Sequence, residues 1–227
     1  MTVPYRLPRF FLTIFIIVSI IDILAILTAD MQWQTFSKPL IIPSLMAYYI
    51  ASSKSPNKLY LFALLFSFAG DVLLLDKMNL FLYGIAAFLV TQIIYVYLFS
   101  KGLKNSSPKQ KTLAFAPFLI FFITLIGILR TGLQDFFIPV VVYGMAISVF
   151  GAVSLLKFLV NKDATSKRLL IGAVLFIISD SMIALHKFEA PRSFYPVAIM
   201  ITYVLAQYFI AVFILRSEAS NFVERDA

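Results

Sequence analysis

The chain has 227 residues, of which 61% are hydrophobic and 13% charged, and it contains no cysteine and one histidine. Soluble domains are about 45–50% apolar and about 25% charged, so this composition excludes an ordinary soluble protein and predicts an integral membrane protein. Without cysteine there is no disulfide and no thiolate site, and we expect neither a metal site nor a cofactor. The net charge of +8 comes without a basic stripe interleaved with aromatics, so no nucleic-acid partner is expected.

Apolar segments separated by short polar connections run along the whole chain. A membrane-spanning helix needs about 20 largely apolar residues, and these segments are too continuous for the alternating strands of a barrel. The sequence therefore predicts an all-α polytopic protein in which residues 1–227 form a single transmembrane domain. The eight predicted spans lie near residues 9–29, 36–53, 59–75, 80–99, 113–129, 135–156, 169–186 and 194–215. The first is retained as a helix rather than a signal peptide, because its apolar run is long and a clear cleavage motif is lacking.

Lysine and arginine residues are distributed unevenly between the two sets of loops. Fourteen of the 19 lie in the N-terminal tail, in alternate loops and in the C-terminal tail, and five lie in the opposite loops. Because cytoplasmic loops carry an excess of these cations, both termini are predicted to be cytoplasmic. The short loops favour a bacterial inner membrane, where the cations would contact anionic head groups. The oligomeric state is not indicated.

Three aspartates lie within predicted spans: Asp22, Asp71 and Asp180. Each should cost about 2.5–3.5 kcal/mol on insertion scales, so each marks a candidate functional site. Asp71 and Asp180 lie 12 and 11 residues from the predicted cytoplasmic ends of helices 3 and 7, which corresponds to depths of about 17–18 Å. Two carboxylates at one depth on different helices can meet. No motif surrounds Asp22, for which a packing role is equally expected.

Polar side chains accompany the aspartate pair at matching positions. Small residues on the same helix faces allow close approach, so both carboxylates should point into the bundle. The helix that follows each aspartate contributes an amide and a phenol at inward-facing depth. These candidate substrate-binding side chains are Ser67, Gln92, Tyr95, Ser179, Tyr203 and Gln207. Together they predict a polar cavity.

Two cations near the outer helix ends have alternative interpretations. Lys38 is a typical snorkelling anchor, yet it is close enough to contact a phosphate or the aspartate pair. Lys187 ends helix 7, where a cation suits the helix dipole, and it could also hold a phosphate. The recurrence of an aspartate followed by a glutamine on the next helix is consistent with a 4+4 parallel repeat.

These motifs resemble those of the YhhN-like lysoplasmalogenase family, eight-helix membrane hydrolases, over nearly the whole chain. The matching stretches are Lys38-Pro39-Leu40, Phe66-Ser67, Gly70-Asp71, Gly84, Phe88, Tyr95, Gly172-Ala173, Phe176, Ser179-Asp180, Ala184, Lys187-Phe188, Tyr203 and Ala206-Gln207. Gln92 departs from the pattern, since family members often carry histidine there.

The resemblance implies hydrolysis of the vinyl ether bond of a lysophospholipid to a fatty aldehyde and glycerophospho-ethanolamine or -choline. Protonation of the β-carbon produces an oxocarbenium ion, so the reaction needs an acid and a counter-charge. Two carboxylates in a low dielectric cannot both ionise cheaply. One of Asp71 and Asp180 is therefore expected to act as the general acid, and the other to stabilise the cation and deprotonate water.

Other functions are also compatible with buried carboxylates. A proton- or cation-coupled transporter would use them as a relay and would favour broken helices, for which Pro39, Pro43 and Pro139 are candidates. An intramembrane aspartyl protease is less compatible, because Phe68 stands where the first glycine of its motif should be. A purely structural scaffold would leave the matched depth of the two aspartates without an explanation.

Overall fold

The computed structural model of the protein describes residues 6–75 and 80–225, the last five by their backbone alone. In these ranges all regular secondary structure is helical, as predicted, and no strand is present. The α-helices are α1 Arg6–Leu27, α2 Met31–Ser52, α3 Lys58–Leu75, α4 Phe81–Ser100, α5 Pro108–Leu133, α6 Phe137–Asn161, α7 Ala164–Phe188 and α8 Tyr195–Arg225. A short 3₁₀ turn, Gln134–Phe136, connects α5 to α6.

Three helices begin five residues before the predicted spans, because each has a polar capping residue upstream of its apolar segment. The Asp30 carboxylate accepts hydrogen bonds from the first turn of α2. Ser107 and Gln110 form a capping box at the start of α5, and the Asp163 carboxylate accepts from the Ser166 amide at the start of α7. Hydropathy locates only the apolar part of a helix, whereas such caps locate its first turn.

Two further boundaries differ from the prediction. The predicted start of helix 6 at residue 135 falls in the 3₁₀ turn, where Gln134 has a φ of 43° and reverses the chain between α5 and α6. Helix α8 continues to Arg225, beyond the predicted end at residue 215. Pro39 and Pro43 lie inside one continuous α2, so neither proline breaks that helix.

Six segments of the described chain are long and apolar enough to cross a membrane. Helices α5 and α6 count together as one segment of 54 residues. Helix α2 is not among the six; its polar residues include Gln32, Gln34 and Lys38. The predicted count of eight spans is therefore not established by length and hydropathy. Lys77, one of the five cations predicted to lie outside, falls beyond the described residues.

The helices pack as neighbouring pairs around a shared core. Helix α1 packs on α2, α3 on α4, α5 on α6 and α7 on α8, while α4 also packs on α6 and α6 on α7. Gly70 allows α3 to pack closely on α4, since a Cβ there would lie 2.6 Å from the Phe88 ring. This close contact brings the polar face of α3 into the core, where the candidate site lies.

Candidate active site

Asp71 lies at one end of a buried hydrogen-bond network. The Asp71 side chain is 3% exposed, and its Oδ2 accepts a hydrogen bond of 2.7 Å from the Tyr203 hydroxyl. The Gln207 amide nitrogen, one helical turn further along α8, donates to the same hydroxyl at 3.3 Å. Helix α8 therefore supplies both the direct partner of Asp71 and the side chain that orients that partner.

The network continues from α8 into α3 and α4. The Gln207 amide also donates to Ser67 Oγ at 3.2 Å, and its carbonyl oxygen accepts from the Tyr95 hydroxyl at 3.1 Å. Ser67 in turn donates to Thr91 Oγ1 at 3.3 Å. Four predicted site residues, Ser67, Tyr95, Tyr203 and Gln207, thus lie in one chain of hydrogen bonds. Such satisfied networks hold polar groups rigidly in a low-dielectric interior.

Asp180 has a separate partner. Its Oδ2 accepts a hydrogen bond from the Tyr143 hydroxyl of α6, and the half-buried carboxyl group lines a cavity of about 40 Å³. The Gln92 side chain lies near Tyr143, but its amide group is buried and has no hydrogen-bond partner among the described residues. An unpartnered buried amide near Tyr143, which lines this cavity, is a candidate for contact with water or substrate.

The Phe88 ring connects the surroundings of the two aspartates. Asp180 lies within electrostatic range of Asp71, although α3 and α7 do not pack directly on each other in the described residues. Phe88 packs edge-on against Tyr203, with ring centroids 5.9 Å apart, and also lines the cavity beside Asp180. The two carboxyl groups thus lie in one apolar part of the bundle, and their direct contact stays a prediction.

Lys38 and Lys187 line one larger cavity of about 570 Å³ at the end of the bundle where α2 and α8 begin. Lys187 is exposed, and its ammonium group lies 4.3 Å from the centroid of the Phe81 ring. Lys38 is half-buried, and Asp71 lies within electrostatic range of its ammonium group. This larger cavity shares Leu74, Phe81 and Ile183 with the small cavity beside Asp180, so these side chains lie between the two.

Ser179 is buried but does not join the network of the aspartates. Its hydroxyl donates to the carbonyl oxygen of Ile199 at 3.1 Å, where it connects α7 to α8. Hydroxyls that bond to a neighbouring helix are common packing contacts in membrane bundles. The contacts of Ser179 are thus those of a packing residue, unlike those of Ser67.

Sequence reasoning missed Tyr143 and Thr91. Tyr143 lies six residues after the first residue of α6, about 9 Å from that helix end, where its hydroxyl contacts Asp180. A tyrosine hydroxyl at that depth was the available indication, but α6 contains no acidic residue that would suggest a functional site on this helix. Thr91 directly precedes Gln92, and Gln92 was selected as the polar site residue of that stretch instead.

The comparison with known protein families covers the part of the chain that contains the candidate site. The model of the YhhN family matches residues 33–214, a range that contains both aspartates, both lysines and all the polar partners described above. No curated protein and no solved structure shows significant similarity to the chain. Because the family match covers most of the sequence, the protein belongs to the YhhN family.

Proposed function

We propose that the protein is a membrane hydrolase of the lysoplasmalogenase type, which cleaves the vinyl ether bond of a single-chain phospholipid. The observation that carries this proposal is that two carboxyl groups inside an apolar bundle, Asp71 and Asp180, each accept a hydrogen bond from a tyrosine and lie within electrostatic range of each other. Membership of the YhhN family is consistent with it. Paired carboxyl groups of this kind perform acid and base catalysis at oxocarbenium-like transition states.

The reaction needs only the two carboxyl groups and one water molecule. One carboxylic acid transfers its proton to the β-carbon of the vinyl ether, and the double bond becomes an oxocarbenium ion beside the other carboxylate. Water adds to the cationic carbon and gives a proton to that carboxylate. As the hemiacetal collapses, its hydroxyl proton returns to the first carboxylate, and the second carboxyl group protonates the departing glycerol oxygen. Both groups end as they began, with an aldehyde and an alcohol as products.

The surrounding side chains have matching roles in this proposal. The amides and hydroxyls of Gln92, Gln207, Tyr95 and Ser67 position water and the glycerol hydroxyls. Lys187 is the cation best suited to hold the phosphate, since it is exposed and lines the 570 Å³ cavity. Lys38 lines the same cavity from the opposite helix pair. We propose that the head group enters there and the vinyl ether passes Leu74, Phe81 and Ile183 to reach the aspartates.

The proposed membrane arrangement has eight crossings with both termini in the cytoplasm. A continuous helix of 54 residues would be about 81 Å long, far beyond the roughly 30 Å hydrocarbon core. Because the chain reverses at Gln134 and α5 packs on α6, each of these helices crosses once. Helix α2 crosses the membrane between the crossings of α1 and α3. Its Gln34 and Lys38 side chains line the 570 Å³ cavity. The pairwise packing is compatible with a 4+4 parallel repeat, and a bacterial inner membrane remains the expected location.

Aldehyde release by the purified protein in detergent tests the function. We expect release from a vinyl-ether lysophospholipid and none from its saturated ether analogue, which cannot form the oxocarbenium ion by protonation. Asp71→Asn and Asp180→Asn should each lower the rate of aldehyde release by at least about 10²-fold. Asp163→Asn is the matched control, because it removes the same charge at the opposite end of α7 and asparagine also caps helices well.

Two outcomes would contradict the proposal. Equal release from the saturated ether would exclude the vinyl ether mechanism. No release from folded wild-type protein would exclude this substrate class and favour the transporter alternative, which reconstituted liposomes with an imposed proton gradient would then test. Hydrolysis without any gradient distinguishes the enzyme from a carrier.

A further inference from the structure

An apolar groove of about 390 Å³ runs along the seam between α1 and α8. Its floor includes Phe15 and Ser19, which are 2% and 4% exposed, and the Ser19 hydroxyl donates to the Phe15 carbonyl oxygen at 2.7 Å. Its rims are large apolar side chains between 41% and 51% exposed: Ile16, Ile20, Ile201 and Leu205. Because no charged side chain is found among the described residues that line this α1–α8 groove, a ligand with unpaired polar groups would be costly there. The groove therefore fits a hydrocarbon chain.

The α1–α8 groove has about the length of one lipid chain. It extends from Leu12 to Ile23 on α1, a distance of about 16 Å along the helix. The hydrocarbon core of a bilayer is about 30 Å thick, so the chains of each leaflet occupy about half of that depth. Both helices belong to the segments that are apolar enough to cross a membrane. Lipid hydrocarbon, rather than water, therefore covers the groove.

The groove continues the 570 Å³ cavity along the same pair of helices. On α1 the groove ends at Ile23 and the cavity includes Ala25. On α8 the groove includes Ile201 and the cavity includes the preceding Met200. The cavity is lined by the two lysines described above, whereas the lining of the groove is apolar. A cationic cavity that continues into an apolar groove matches a phosphate group joined to a hydrocarbon chain.

We propose that the α1–α8 groove holds the hydrocarbon chain of the single-chain substrate while the phosphate of the same molecule lies in the cavity. This inference rests on the proposed function, to which it adds a binding site for the chain. The vinyl ether joins the chain to glycerol, so it lies at the junction of groove and cavity. Leu74 lines the cavity and lies one helical turn after Asp71 on α3. Met200 lies at the junction, one helical turn before Tyr203 on α8. The held vinyl ether is therefore close to the side chains that it passes to reach the aspartates.

Photolabelling in lipid nanodiscs tests the chain site without any hydrolysis. The probe is the saturated ether lysophospholipid with a photoactivatable diazirine at the end of its chain. We expect labels at Leu12 and Tyr208, which line the groove far from the cavity, and loss of these labels when unlabelled saturated ether lysophospholipid is added in excess. Equal labelling of Ile123, which is 61% exposed on α5, would overturn the proposal. Equal competition by a two-chain phospholipid with the same head group would also overturn it, because the groove would then contact bilayer lipid only.

A bulky residue on the rim of the groove should exclude the chain. In Ile20→Trp, we expect the KM for a long-chain vinyl-ether lysophospholipid to rise about tenfold, with little change in kcat, and the label at Tyr208 to be lost. A substrate whose chain is too short to reach Ile20 is the internal control, since its KM should be the same in both proteins. Ile123→Trp on α5 is the matched control, because Ile123 lines neither the groove nor the cavity. An unchanged KM in Ile20→Trp, or an equal rise for both chain lengths, would overturn the proposal.

Ser19→Leu fills the groove from its floor and should have the same effect as Ile20→Trp. Ser19 is buried, so thermal unfolding in detergent shows whether this variant folds, and the exposed Ile20 provides the test if it does not. The chain site and the proposed reaction fail in different ways. Specific labelling of the groove in a protein that releases no aldehyde would refute the reaction alone. Aldehyde release together with evenly distributed labels would refute the chain site alone.

Discussion

The Tyr203 hydroxyl donates a hydrogen bond of 2.7 Å to Asp71 Oδ2, and this contact joins α8 to α3 across 132 residues of sequence. Tyr143 makes the equivalent contact with Asp180 between α6 and α7. Each carboxyl group is thus oriented by a phenol from another helix. The orientation of both acids depends on these two hydroxyls.

Removal of either phenolic hydroxyl should impair catalysis more than binding. In Tyr203→Phe and Tyr143→Phe, we expect kcat for aldehyde release to fall by about 10- to 100-fold, since a charge-assisted hydrogen bond is worth about 1.5–3 kcal/mol. Tyr97→Phe is the matched control, because Tyr97 is 57% exposed on α4 and contacts neither aspartate. Steady-state kinetics over a lysolipid concentration series measure the effect. A rise in KM with unchanged kcat would contradict an orienting role.

Lys187 should bind the head group. In Lys187→Met, we expect the KM for a lysophospholipid to rise about tenfold, as an ion pair with phosphate is lost, while kcat changes little. An alkenylglycerol without phosphate provides the internal control, since its KM should be the same in both proteins. If both substrates are affected equally, Lys187 has a structural role at the cavity through its contact with Phe81.

Gly132 should be required for the stability of the bundle. A Cβ at this position would lie 1.7 Å from the backbone oxygen of Phe188, so α5 and α7 must separate to accommodate it. Gly132→Ala is therefore expected to destabilise the protein by about 1–3 kcal/mol or more. Gly127→Ala on the same helix has no atom within 4 Å of the added methyl group and should be neutral or slightly stabilising. Thermal unfolding in detergent compares them, and equal melting temperatures would show that α7 adjusts freely.

Asp163 should contribute a pH-dependent part of the stability. The hydrogen bond from the Ser166 amide lowers the pKa of the Asp163 carboxyl below its ordinary value of 3.8. A lowered folded-state pKa stabilises the protein above pH about 4 and loses that stabilisation as the pH falls through the folded value. Asp163→Ala should cost about 1 kcal/mol at neutral pH.

Unfolding of the wild type, Asp163→Ala and Asp163→Asn between pH 7 and pH 2.5 measures this contribution. The difference between wild type and Asp163→Ala should shrink toward the acidic end. Asp163→Asn should remain close to wild type at neutral pH and lack this acid-dependent loss. A difference that stays constant with pH would exclude the carboxylate as its source.

Much of the site followed from simple patterns. An aspartate inside an apolar segment is costly, so it must face the bundle interior, and the helical period then identifies Ser67 and Gly70 as its neighbours on the same face. Gln207 and Tyr203 are one turn apart on α8, so their common orientation was also predictable. The capping residues Asp30, Ser107 and Asp163 were visible in the sequence, but hydropathy alone placed three helix starts five residues too late.

The sequence by itself determined the membrane class, the helical architecture and the inward direction of the two aspartates, because burial of charge and of apolar surface is decided by composition and helical period. Only the tertiary structure decided which side chains meet: Tyr143 with Asp180, Tyr203 with Asp71, and Asp22 with Ser37 beside Lys38. The period of a helix fixes the face and depth of a residue. Its partner on another helix depends on how the helices rotate and pack, and the small residues that permit those contacts are common throughout such chains.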